Sequence, residues 1–103
     1  MGDIQKAGSD RGNLEKELEH TLISIKMIYR GYTLTIEEYT KEELMGDLEE
    51  YRLQFKRVTE TLLSRAKNTE IPKLIEIAEQ IEWYYTQLIE AIKQRLTEYD
   101  NLR

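Results

Sequence analysis

The chain has a single histidine, His20, and no cysteine. Any chemistry therefore starts from carboxylates, hydroxyls and one imidazole. Glu17 and His20 form a Glu-x-x-His pair, a spacing that puts two ligands on one helix face in di-iron bundle proteins. Such a centre needs a second pair and two further carboxylates, and a single histidine excludes the full set. Glu79 and Glu82 could offer oxygens, but glutamates three apart recur in any Glu-rich helix. Without cysteine there is no Cys-based zinc site, no disulfide and no thiol nucleophile. Ser9, Ser24 and Ser64 have no paired local motif for nucleophilic catalysis. The five glycines are scattered, so no phosphate-cradling loop exists. The expectation is a non-enzymatic chain with no metal and no cofactor, with an enzyme built on a carboxylate metal site as a distant alternative.

His20-Thr21-Leu22 begins like the His-x-Leu-Lys-Gly run of histidine phosphotransfer domains, which are also small helical bundles. The likeness covers only these residues, and Ile23 and Ser24 stand where that run has Lys and Gly. On a helical projection His20 points away from the main apolar seam. The resemblance implies an alternative function, a signalling domain carrying phosphate on His20.

The 15 Lys and Arg against 20 Asp and Glu give a net charge of −5. A nucleic-acid binder usually offers a basic face, because affinity comes largely from counterion release at phosphates. Here the two signs are interleaved, with an acidic excess at Glu37, Glu38, Glu42, Glu43, Asp47, Glu49 and Glu50. Direct nucleic-acid binding and docking on an anionic membrane are both disfavoured. No apolar run approaches the roughly 20 residues that span a bilayer, and residues 1–12 lack the order of a signal peptide. With no cysteine as well, the expected location is the cytoplasm.

Positioning falls to helices. Sixteen of the twenty acids are Glu, and Glu with Lys, Arg and Leu is the composition of long helices. A hydrophobic share of 40% suffices for one core. Residues 1–12 are polar and aperiodic and read as a mobile tail ahead of a single domain, 13–103. Asn13 is placed to cap a first helix over about 14–30, with Gly31 as its stop. The alternation Tyr32 to Ile36 reads as a short extended stretch. Thr35 with Glu38 and Thr40 with Glu43 both have capping-box spacing, and the earlier start, near 36, is the one expected for the second helix. That helix runs to about Lys67, with Leu44, Leu48, Tyr51, Phe55, Val58 and Leu62 as a narrow coiled-coil seam.

Asn68-Thr69 marks the next break, and Pro72 suits the first turn of a third helix over about 70–100. There Ile71, Leu74, Ala78, Ile81, Tyr85, Leu88, Ile92 and Tyr99, widened by their apolar neighbours, form a face that two other helices must cover. The sequence thus predicts an all-α fold, an antiparallel three-helix bundle with long coiled-coil-like second and third helices. Tyr29, Tyr32, Tyr51, Tyr85 and Tyr99 fall on or beside its seams as core residues with hydroxyls at the edge.

Some apolar residues fall off these faces. Trp83 projects away from the third helix's broad face among Glu and Gln, Ile23 and Met27 lie opposite the first helix's seam, and Leu53 opposite the second's. Trp is enriched at interface hot spots, so Trp83, Ile23 and Met27 are the candidate partner-binding residues. If the first helix packs back from Gly31, its start reaches only about Val58. Val58, Leu62, Leu63, Ala66, Ile71, Leu74, Ile75, Ile77 and Ala78 would then lie uncovered. That patch leads to the expectation of a homodimer through the far end of the hairpin. The function expected is an interaction or assembly module whose partner is another protein or a second copy.

Overall fold

The computed structural model describes the backbone of residues 2–101 and side chains from 12 to 101. It is all-α: helix α1 (Gly2–Thr35), a 3₁₀ turn (Ile36–Glu38), α2 (Lys41–Val58), a π-helical turn (Thr59–Leu63), α3 (Ser64–Asn68) and α4 (Pro72–Asn101). Backbone dihedrals stay in the right-handed helical region from Val58 through Ser64, so α2, the π turn and α3 form one rod. The first helix begins at Gly2 rather than after Asn13, which lies inside α1 and does not cap it. Of the expected tail, 1–12, the side chains of residues 1–11 lie outside the described residues.

The three rods pack around a core of Leu14, Leu18, Ile25, Tyr32, Leu44, Leu62, Leu63, Ala66, Leu74, Ile77, Ala78, Ile81, Tyr85, Leu88 and Ile92. Glu15 meets Lys73 and Tyr29 meets Trp83, so α1 and α4 run parallel. Glu17 meets Arg65 and Tyr32 meets Asp47, so the α2–α3 rod runs antiparallel to α1. Phe55 stacks on Tyr85 and Lys41 reaches Asp100, which sets that rod antiparallel to α4 as well.

Gly31 does not stop α1, which continues four residues to Thr35. A glycine inside a helix costs about 1 kcal/mol relative to alanine, and Gly31 keeps negative φ. The following threonines send their hydroxyls back to the helix rather than forward into a strand: Thr33 to the carbonyl of Tyr29 at 2.8 Å, Thr35 to that of Gly31 at 3.0 Å. Tyr32 is buried in the core, on the same face as Ile25 and Leu18, one and two heptads earlier. The extended stretch is therefore corrected to helix. Its β-branched alternation was local preference overruled by a buried aromatic.

The second helix begins at Lys41, not near 36. Thr40 accepts from the Glu43 amide at 3.1 Å and the Glu43 carboxylate accepts from the Thr40 amide at 2.9 Å, a reciprocal capping box. Thr35 has the same spacing to Glu38 but makes no side-chain cap, because its hydroxyl is already committed to Gly31. At the other turn, Thr69 donates to the Ala66 carbonyl at 2.6 Å and accepts from the Ile71 amide at 3.1 Å. Pro72 then opens α4 at its first residue, where a missing N–H costs nothing.

The expected uncovered end is also corrected. Leu62, Leu63, Ala66, Leu74 and Ala78 are buried within the single chain, and Val58, Ile71 and Ile75 are half-buried. Because α1 runs on to Thr35 and the turn is centred near Thr40, α1 reaches further along the bundle than a helix ending at Gly31. Leu14 and Leu18 cover this end, and Glu15 and Glu17 reach Lys73 and Arg65 across it.

Candidate interaction surface

Ser24, Ser64 and Glu79 lie exposed on the surface. Glu17 and His20 are exposed and line an open groove between α1 and the π turn, together with Thr21, Val58, Thr61, Leu62 and Arg65, with a volume near 410 Å³. The π turn forms one wall, and within it Leu62 and Leu63 are both buried in the core. Arg65 lies 3.5 Å from the Glu17 carboxylate. The Thr61 hydroxyl donates to the Arg57 carbonyl at 2.7 Å, not to a base that could activate it as a nucleophile. Among the described residues no group of three or more His, Cys, Asp or Glu side chains is placed to hold a metal. Glu82 is engaged with Lys67 at 2.9 Å. The groove has an imidazole and an ion pair but no nucleophile paired with a base.

The tyrosines are structural. Tyr32 is buried and donates to the Asp47 carboxylate at 2.6 Å, and Tyr85 donates to Gln54 at 2.7 Å. Burial raises the phenol pKa of Tyr32, Tyr51 and Tyr85 above the ordinary value, and the Asp47 carboxylate adds to the rise at Tyr32 and Tyr51. Tyr99 donates to the Tyr39 carbonyl and so closes the chain where α1 hands over to α2.

What stands out from the surface is apolar. Trp83 is 52% exposed, Ile23 55%, Met27 68% and Leu34 85%, with Met45 and Leu53 also exposed. Trp83 does not stand alone. Its ring meets Tyr84 edge-on at 5.0 Å and Tyr29 at 6.3 Å between centroids, and Tyr29 meets Tyr84 at 5.8 Å. These three rings roof the seam between α1 and α4, leaving half of the indole to solvent. Ile23, Met27 and Leu34 are a different feature. At about 100° per residue they fall within about 40° of one another, on the side of α1 opposite Leu18, Ile25 and Tyr32. Leu34 was not among the expected residues. Its spacing of seven from Met27 carried the signal, but reading 32–36 as extended hid it.

Among the described residues no helix is long and apolar enough to cross a membrane. Comparison of the chain with protein families, with curated proteins and with solved structures gave no match.

Proposed function

We propose that this chain is a non-enzymatic protein–protein interaction module that self-associates through helix packing. The observation that carries the reading is the apolar row Ile23, Met27 and Leu34 on the outer face of α1. The bundle's own core is complete without it. Scattered exposed apolar residues are ordinary, but three in line on one helix make a surface to which another helix can pack. Trp83, roofing the α1–α4 seam with Tyr29 and Tyr84, is the anchor this reading assigns to a different protein partner. The reading includes a cytoplasmic location and no direct contact with nucleic acid, both resting on composition. Sedimentation equilibrium of the 12.3 kDa chain tests self-association: a mass rising toward twice that value with concentration supports it, and a constant monomer mass overturns it.

Phosphate carriage on His20 is the second reading, favoured by one observation: the imidazole is exposed on a groove that Arg65 also lines. Acid-labile phosphate on the chain after treatment with a small phosphodonor, lost in His20→Gln, would support it. Absence of label would dispose of it.

A further inference from the structure

The outer face of α1 has charges as well as apolar residues, and their placement is directional. Along one flank of the Ile23–Met27–Leu34 row run Glu19, Lys26 and Arg30. Along the other run His20, Ser24 and Gly31. Neither Glu19 nor Arg30 forms an ion pair among the described residues, although nearby Glu15 and Glu17 both do. Gly31 has open space around the position of a Cβ, so a second backbone could approach closely on that side.

Two helices packed antiparallel about a two-fold axis set like flank against like flank, whereas parallel helices set opposite flanks together. Only the antiparallel arrangement brings Glu19 and Arg30 to the same side of an interface with their counterparts. The register then follows from the residues. Ile23 and Met27 have their midpoint at Ile25, and Glu19 and Arg30 have theirs between Ser24 and Ile25. One two-fold axis therefore serves both pairs, as an isologous interface requires. Lys16 and Leu34 share that midpoint too, so the Lys16 methylenes can cover the most exposed leucine of the other copy.

We infer that the occupant of this face is a second copy of the chain, its α1 antiparallel, with Ile23 against the second copy's Met27 and Glu19 against the second copy's Arg30. The inference rests on the self-association reading and specifies its geometry. The two cores lie on opposite outer sides of the α1 pair, so neither bundle obstructs the other. The parallel alternative sets Glu19 against the second copy's His20, and Lys26 and Arg30 against Ser24 and Gly31, and with His neutral it pairs no opposite formal charges.

The test is sedimentation equilibrium of the full chain and four variants, with circular dichroism confirming that each retains its helix content. Met27→Glu should weaken association by at least about a hundredfold, the loss of a central apolar anchor. Glu19→Arg and Arg30→Glu alone should each weaken it about tenfold, since two symmetric pairs become repulsive. The two combined in one chain should restore it to near the original affinity. A dimer indifferent to Met27→Glu overturns this interface while leaving self-association standing. Charge reversals whose combination fails to restore binding overturn the antiparallel pairing. A monomer at every concentration overturns the inference together with the reading it rests on.

Discussion

The two ends of the bundle are closed by different side chains. Where α1 hands over to α2 the closure is made by tyrosines: Tyr32 packs on Tyr39 and Tyr51 at 4.4 and 6.1 Å between centroids, and Tyr99 holds the Tyr39 carbonyl. At the opposite end the closure is aliphatic, made by Leu14, Leu62, Leu63, Ala66, Leu74 and Ala78. A phenol fills space and still satisfies a neighbour, so the tyrosine end can hold an irregular 3₁₀ turn against the core. An aliphatic end has no such polar reach. Its turn satisfies its own backbone through Thr69 and holds Glu70 at a φ of 57°, and its helix widens into a π turn where Leu62 and Leu63 are buried.

The contrast is sharpest in Leu63, which is fully buried. Leu63→Ala should cost about 2–5 kcal/mol by leaving a cavity in a packed core, read by urea denaturation. A loss well under 1 kcal/mol would mean that this end is not sealed as described. Tyr32→Phe at the other end keeps the ring and removes only the bond to Asp47, so the expected loss is smaller, about 1–2 kcal/mol. It has a pH signature that Leu63→Ala lacks. Tyr32, Tyr51 and Tyr85 hold their protons more tightly folded than unfolded, so their contribution is complete below the ordinary phenol pKa of about 10. It is lost as pH rises beyond that value, since the unfolded chain ionises first. Stability measured across alkaline pH should fall with a shallower slope in Tyr32→Phe.

The two turns extend the comparison to smaller effects. Thr40→Ala deletes half of the capping box at the tyrosine end and should cost about 1 kcal/mol. Glu70→Gly at the aliphatic end should stabilise by about 0.5–1 kcal/mol, because glycine adopts left-handed φ without steric strain. Thermal unfolding of both variants decides whether one turn is optimised and the other strained. A destabilised Glu70→Gly would show that Glu70 contributes more than its backbone costs.

Much of this architecture was legible in the sequence, and the errors cluster at the boundaries of α1. The apolar spacing in α4 and in Leu44 to Leu62 placed two rods correctly, because burial of a whole face depends on many residues at once. The boundaries of α1 depended on one glycine and a run of five residues, where local preference and tertiary packing disagreed. Moving the end of α1 from Gly31 to Thr35 slid the predicted register, so Leu62, Leu63 and Leu74 were read as uncovered when Leu14 and Leu18 lie over them. The same slip hid Leu34 while leaving Ile23, Met27 and Trp83 on the surface, since their faces follow from spacing within a helix rather than from where it ends. The π turn had no readable signature: Leu62-Leu63 as a buried pair belongs to ordinary wide apolar faces as well.

The π turn also determines how the chain tolerates a change in its length. In an ordinary helix, removing one residue rotates everything downstream by about 100° and drives core side chains into water. Thr59–Leu63 winds one residue wider than an α turn, with Glu60 and Thr61 on the outside. Losing one of those two would tighten the turn to α geometry and leave Leu44 to Phe55 and Leu63 to Ala66 facing the core as before. The segment is thus a reserve of a single residue, the one place in the rod where a deletion is absorbed locally instead of being passed along the helix.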